Sequence, residues 1–252
     1  LSYVIKSQLN QCSKNVTNQI TSLYSESFAN VNSINVDFLD VSSQFYIQSI
    51  FAQKFLVGAG IEYKYLSIES ETLSGTNPVL DRSNYTSVFA YMKYDSFDNK
   101  YFPTRGWYFS SDLHNYLFSS NYTGQFNPYS IVKADTGFAL TVFKGATFKL
   151  QTEAGFSIGA DSVPFLDFVL GGYGFIPLNN FKPFYGYDFL TLAGNSYLKP
   201  SATIDYEIFK KNHLNFSANY ANVEDDYFES LDWISLPKHS GYAIGYGLET
   251  VI

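Results

Sequence analysis

The stretch Ala146–Ile158, Ala-Thr-Phe-Lys-Leu-Gln-Thr-Glu-Ala-Gly-Phe-Ser-Ile, decides the fold of this chain. Its apolar side chains fall on alternate residues from Phe148 onward, and polar, charged or small residues, including Lys149 and Glu153, fall between them. A period of two is that of a β-strand, in which successive side chains point to opposite faces. The stretch therefore predicts a strand with one apolar and one polar face.

Six further segments show the same alternation. One register has no Asp, Glu, Lys or Arg: the odd positions of 55–65 and 107–117 and the even positions of 130–142, 198–208, 214–222 and 242–252. Together with Ala146–Ile158, the other register holds Glu62, Lys64, Asp112, Lys133, Asp135, Lys149, Glu153, Lys199, Asp205, Glu207 and Glu249. A charge facing lipid at mid-bilayer costs roughly 2 to 4 kcal/mol. The pattern predicts a lipid-facing apolar register and a polar lumen.

The fold class predicted from this pattern is all-β, an antiparallel transmembrane β-barrel. We predict about twelve strands, at 3–11, 18–28, 33–41, 44–52, 54–69, 84–96, 106–118, 129–143, 146–159, 196–209, 212–223 and 240–252. A tilted strand crosses a bilayer in about 9 to 11 residues, so these lengths suffice. The whole chain, 1–252, is predicted to be a single barrel domain.

A soluble sandwich or lipocalin-like barrel also alternates, because one of its faces meets a core and the other meets solvent. Aromatic placement favours the membrane barrel, whose interfaces carry girdles of tyrosine and tryptophan. The expected girdle residues are Tyr3, Tyr24, Tyr63, Tyr65, Trp107, Tyr129, Tyr197, Tyr206, Tyr220, Tyr242 and Tyr246.

Composition excludes several function classes. Aromatic residues make up 19% of the chain and charged residues only 15%, with a net charge of −7. An acidic chain has no broad surface for a phosphate backbone, so nucleic acid is not an expected partner. The one cysteine, Cys12, allows neither an internal disulfide nor a multi-cysteine metal site.

The connection Asp95–Gly106 contains an aspartate pair, Asp95 and Asp98, followed by Pro103 and Gly106. Proline fixes φ near the corner of a hairpin, and glycine accepts a positive φ. This pattern resembles the hairpin of the bacterial surface-antigen barrels, the superfamily of BamA-type insertases and two-partner secretion transporters.

A second resemblance lies in the long segment of about 160–195. Its motif residues are Gly171, Gly172, Phe184, Tyr185, Gly186 and Tyr187. The resemblance implies that this loop folds back into the barrel lumen. The stretch 183–187, with Leu192 to Gly194 and the run 219–226, is most similar to the C-terminal barrel of patatin-like phospholipases from Bacteroidetes.

The resemblance also implies a sixteen-stranded barrel, so we expect strands to be missing from both ends of this sequence; a closed barrel of the twelve predicted strands is the alternative. The superfamily loop usually presents arginine before its glycine-aromatic pair, where this chain has Tyr185. We expect Lys182 to take over that role, with Asp205 or Glu207 as its lumen partner.

We expect no catalytic residue, cofactor or metal site in this chain. Gly155–Gly159 fits the G-x-S-x-G pattern of hydrolases, but a nucleophile elbow needs a helix after its turn, and here an alternating strand continues toward Pro164. The histidines His114, His213 and His239 lie far apart in the sequence without metal-ligand spacing.

The resemblance implies a barrel in the outer membrane of a Gram-negative bacterium, anchoring an upstream patatin-like phospholipase domain and exporting or displaying it. A BamA-like insertase or translocase is one alternative, and a passive porin is another. Expected partners are the bilayer with its lipopolysaccharide, the outer-membrane assembly machinery and a second copy or other member of a membrane complex.

Overall fold

Thirteen strands form in the part of the chain that the computed structural model describes, residues 2–17, 33–70, 79–120, 126–159, 168–172, 180–187, 192–224 and 239–250. They are β1 Ser2–Thr17, β2 Ser33–Phe51, β3 Phe55–Ser70, β4 Val79–Asp95, β5 Arg105–Ser120, β6 Tyr129–Phe143, β7 Ala146–Ile158, β8 Phe168–Leu170, β9 Phe181–Lys182, β10 Leu192–Gly194, β11 Ser196–Phe209, β12 Asn212–Glu224 and β13 His239–Thr250. The described residues contain no helix long and apolar enough to cross a membrane.

The ten long strands form one antiparallel sheet in the order β1-β2-β3-β4-β5-β6-β7-β11-β12-β13. Each pairs with the next long strand in the chain, and β7 pairs with β11 across the long loop. β8, β9 and β10 form a separate small sheet within that loop. The predicted all-β antiparallel barrel fold is confirmed.

Two predicted strands, 33–41 and 44–52, are one continuous strand in the structure. β2 runs over 19 residues and pairs with β1 and β3 along its length. Ser42 and Ser43, which separate the two predicted strands, keep their ladder partners on both sides. The predicted strand 18–28 lies outside the described residues.

The two registers of the strands separate as predicted. Side chains of the uncharged register such as Leu150, Ile204 and Phe216 are about half exposed on the outer face. Charged side chains of the other register, including Glu62 and Asp205, are buried on the inner face. The sheet therefore presents an apolar surface to lipid and a polar surface to the lumen.

The aromatic girdle is outward at most of its described positions, with Tyr63, Trp107 and Tyr242 well exposed. Tyr129 and Tyr197 are corrections, because both are buried. Tyr197 is an odd-numbered residue of β11, so its register is that of the lumen. Tyr24 lies outside the described residues.

The connections between long strands differ in length at the two ends of the sheet. At one end, which we call the short-turn end, the strands are joined at 52–54, 96–104, 144–145 and 210–211. At the other, the long-loop end, the connections include 71–78, 159–195 and 225–238. The lumen loop thus enters from the long-loop end.

Candidate functional site in the barrel lumen

The inner face of the sheet carries a series of ion pairs. They join Lys64 to Asp40, Lys133 to Asp112, Lys149 to Asp205, and Lys199 and the loop residue Lys182 to Glu153. Two histidine rings also lie beside carboxylates: His114 is 3.3 Å from Glu62 and 3.8 Å from Asp112, and His213 is 3.0 Å from Asp205. Every second residue of neighbouring strands faces inward, so the period of two brings these groups together. Burying an ion is costly unless it is paired, which accounts for the matched charges.

The described parts of the loop pack against one wall of the lumen. β8 pairs with β9 and with β10, and Phe168 of β8 is fully buried. The Phe168 ring lies 4.9 Å from the Tyr197 ring, centroid to centroid. The loop therefore packs through Phe168 on the inward-facing ring of Tyr197 in β11.

Two glycines of the wall make room for loop aromatics. A Cβ on Gly155 of β7 would lie 2.6 Å from the Phe168 ring, and one on Gly241 of β13 would lie 2.9 Å from the Phe184 ring. The Tyr242 N–H also donates a hydrogen bond of 3.3 Å to the Tyr187 hydroxyl. These contacts place the described parts of the loop against the inner face of the sheet.

The predicted loop motif forms a compact unit. Three of its residues have positive φ: Gly171, Gly172 and Gly186. The Gly172 N–H donates to the Tyr187 carbonyl at 2.9 Å, and the Phe184 N–H donates to the Gly172 carbonyl at 3.1 Å. Phe184 is fully buried, whereas Tyr185 is 49% exposed. The position at which the superfamily loop usually has arginine is therefore half exposed in this chain.

Lys182 has a different partner from the one predicted. Its Nζ lies 3.7 Å from a carboxylate oxygen of Glu153, and Lys199 Nζ lies 2.5 Å from the other oxygen of the same carboxylate. Lys199 also donates to the Pro183 carbonyl at 3.3 Å. Glu153 and Lys199 thus hold the loop to β7 and β11.

Asp205, the predicted partner, lies at the other end of its strand. Its carboxylate is 2.7 Å from Lys149 Nζ and 3.0 Å from His213 Nδ1. In the register Asp205 faces Thr147 near the short-turn end, beyond the reach of Lys182. Glu207, the other predicted partner, is still closer to that end and is exposed. The period of two predicts which face each residue lies on but not its height in the lumen.

The hairpin motif shapes the turn 96–104. Asp95 accepts the Phe97 N–H at 2.9 Å, and Asp98 accepts the Thr104 hydroxyl at 2.6 Å. Gly106 has a φ of 116°, and a Cβ there would lie 2.5 Å from the Ser96 carbonyl oxygen. Pro103 lies in the turn itself. The four motif residues are therefore brought together in one hairpin.

Electrostatics support this hairpin. Partial burial tends to raise the pKa of Asp98, but hydrogen bonds from the Thr104 hydroxyl and the N–H groups of Thr104 and Arg105 outweigh it and lower that pKa below its ordinary value. Hydrogen bonds to the ionised carboxylate favour the charged form. The turn is therefore most stable with Asp98 ionised.

One contact of the turn was not predicted. The Phe102 ring stacks on the His213 imidazole of β12, with centroids 3.7 Å apart and planes 6° from parallel. The Thr141 hydroxyl of β6 donates to the Thr104 carbonyl at 2.9 Å. The sequence signal was an aromatic residue in a polar turn, but nothing in the sequence indicated its partner.

A polar cavity of about 210 Å³ lies on the inner face. Its walls include Asp40, Glu62, Lys64, His114 and Lys133, with Asn180 contributed by the loop. Charged and polar side chains dominate this lining, so the cavity suits water or a polar occupant rather than an apolar molecule.

A sequence profile described as the OMP85 superfamily matches residues 1–252. The chain belongs to the OMP85 superfamily. No curated protein matches it by sequence.

Solved structures support the fold of this OMP85 chain. BamA from Haemophilus ducreyi lacking POTRA domains 1-3 is similar with a TM-score of 0.62 and 12% identity, over 98% of this chain and 53% of that one. CdiB from Acinetobacter baumannii gives a TM-score of 0.64 and 10% identity, over 99% and 42%. The OMP85 chain therefore spans about half the length of these proteins.

The residues of the OMP85 chain that were weighed as candidate chemistry lie on the long strands where they are described. The G-x-S-x-G stretch runs along the end of β7, and the Ser157 N–H donates to the Asn195 carbonyl at 2.8 Å. His114 and His213 each lie beside a carboxylate on the inner face of the sheet. Among the described residues there is no group of three or more metal-binding side chains.

Proposed function

We propose that this chain is the outer-membrane barrel of a larger protein of a Gram-negative bacterium, and that it anchors an upstream patatin-like phospholipase domain and exports or displays it. In outer-membrane barrels short turns face the periplasm and long loops face outside. The short-turn end would then be periplasmic. The bilayer with its lipopolysaccharide, the assembly machinery and a second copy or other membrane complex are the proposed partners.

The observation that carries this proposal is the packing of the described parts of the loop against the lumen wall. The loop contacts Gly155 and Gly241, its Lys182 pairs with Glu153, and Lys199 donates to the Pro183 carbonyl. A passive porin needs an open lumen, so this arrangement favours an anchor or a transporter that opens on demand. Within that choice, the loop stretch 183–187 is what the patatin-like assignment rests on.

The second candidate is a BamA-like insertase or translocase. The similarity to BamA and CdiB favours it, and a loop packed against the lumen wall is as consistent with it as with an anchor. The two candidates differ in what precedes the barrel: a patatin core in one, repeated periplasmic POTRA-type modules in the other.

The test is the intact mass and N-terminal sequence of the native protein extracted from outer membranes. We expect a mass well above 28.5 kDa, with a patatin core before the barrel. POTRA-type modules would establish the second candidate instead. A mass near 28.5 kDa would mean a stand-alone barrel and would contradict the anchor proposal.

A further inference from the structure

The turn 96–104 differs from the other connections at the short-turn end, which are two or three residues long at 52–54, 144–145 and 210–211. It is long enough to leave the rim of the sheet. Its Phe102 reaches His213 of β12, although β6, β7 and β11 lie between β5 and β12 in the sheet. At about 4.8 Å per strand, that separation along the wall is on the order of 19 Å. The turn therefore extends over the rim of the sheet to the inner face at β12.

The His213 imidazole on which the Phe102 ring stacks is held by contacts within the sheet. His213 Nδ1 lies 3.0 Å from Asp205, and the same carboxylate lies 2.7 Å from Lys149 Nζ. Asp205 and His213 are buried, and Lys149 Nζ also lies 5.9 Å from the Phe102 ring centroid. The imidazole is thus held at a set angle with its face toward the turn.

The turn is also ordered by its own contacts. The Asn99 side chain accepts the N–H groups of Tyr101 at 2.9 Å and Phe102 at 3.2 Å. Asp98 accepts the Thr104 N–H at 2.9 Å, and Pro103 fixes φ directly after Phe102. The backbone on both sides of Phe102 is therefore preorganised to aim the ring inward.

We propose that the turn 96–104 is a plug of the short-turn mouth of the lumen, seated by the stack of Phe102 on His213. The long loop enters the lumen from the opposite end, so the barrel is obstructed at both ends. Ions or polypeptide passing through the lumen have to displace this stack. The proposal holds for an anchor and for a transporter alike, since it concerns the mouth of the barrel only.

The adjacent Tyr101 supplies a matched control. Its side chain is 61% exposed, and its ring contact is with Lys100 of the same turn. Phe102→Ala and Tyr101→Ala each remove one aromatic ring from the same segment, but only the first removes the contact with β12. A difference between them reports the seat rather than a general loosening of the turn.

The test is ion conductance of the full-length protein in planar bilayers, with folding checked by heat-dependent gel mobility. Because the long loop obstructs the other end, the variants are measured in a Glu153→Gln background, which releases Lys182 of that loop from its carboxylate. In that background we expect Phe102→Ala to raise the open probability about tenfold, the scale of one lost aromatic contact. Tyr101→Ala should leave it unchanged. Equal open probabilities for the two folded variants would overturn the proposal.

A milder variant decides the matter if Phe102→Ala does not fold. Phe102→Leu keeps a large apolar side chain in the turn but removes the aromatic ring that stacks on His213. We expect it to raise the open probability in the same background, whereas Tyr101→Leu should leave it unchanged. Equal open probabilities for these two variants would contradict the seated turn.

Discussion

Replacing Gly155 by alanine tests the packing of the lumen loop on β7. The new Cβ would lie 2.6 Å from the Phe168 ring, whereas ordinary contacts are 3.4–4 Å, so the loop or the wall has to shift by about 1 Å. Overpacking of this kind costs about 1 to 3 kcal/mol. The lower entropy of alanine in the unfolded chain offsets about 0.4 to 1 kcal/mol. We expect a net loss of about 1 to 2 kcal/mol.

Gly245→Ala is the matched control. Gly245 also lies on the lumen face of a long strand, but a Cβ there would have nothing within 4 Å. It should be neutral or stabilising by up to about 1 kcal/mol. The difference between the variants isolates the overpacking cost.

The assay is urea unfolding of the full-length protein in lipid vesicles, followed by tryptophan fluorescence. Gly155→Ala should unfold at a lower urea concentration than Gly245→Ala. Adding Phe168→Ala to both variants should remove only part of this difference, because the new Cβ at 155 also meets the Tyr197 ring. Equal midpoints for the two alanine variants would refute the packing of the loop on β7.

Three further predictions follow from the faces and pairs of the structure. Glu153→Gln leaves Lys182 and Lys199 without their shared carboxylate, so it should lower the free energy of unfolding by about 3 kcal/mol and speed proteolysis of the loop. The control Glu249→Gln changes an exposed residue and should be within about 0.5 kcal/mol of neutral. Equal rates of loop proteolysis in the two variants would contradict the role of Glu153 in holding the loop. Leu150→Lys places a charge in lipid and should lower the free energy of unfolding in urea by up to about 2 to 4 kcal/mol. Gln151→Lys places the same charge on the lumen face and should cost much less. The reverse order would contradict the register. Because folding lowers the pKa of Asp98, the stabilisation by its carboxylate is full above the ordinary value of 3.8 and is lost as pH falls through the lowered value. Asp98→Asn should therefore flatten the dependence of the unfolding free energy on pH below about pH 4. An unchanged pH dependence in this variant would count against the role of Asp98.

The faces of the strands could be predicted from the sequence because they depend on local parity. Glu62, Lys149 and Asp205 are inward as the period of two requires, and Leu150 and Ile204 are outward. Charge in lipid is costly enough that the sequence must obey the register. The fold class follows from the same pattern.

Heights and cross-lumen contacts could not be predicted, because they depend on strand register and on loops folding back. Lys182 lies in the loop as predicted but pairs with a different carboxylate, since the register puts Glu153 rather than Asp205 at its level. The stack of Phe102 on His213 joins residues more than a hundred positions apart. No local signal links such residues.

The measurement that tests the central claim most directly is a nitroxide scan of β7 from 147 to 156 in the full-length protein, with Cys12→Ser, in lipid vesicles. Collision rates with oxygen, which enters lipid, should peak at even positions such as Phe148, Leu150 and Phe156. Collision rates with a water-soluble nickel chelate should peak at Lys149 and Gln151 and fall at Gly155, which the loop covers. Without oxygen maxima at even positions, β7 would have no lipid face, and the transmembrane barrel would be contradicted.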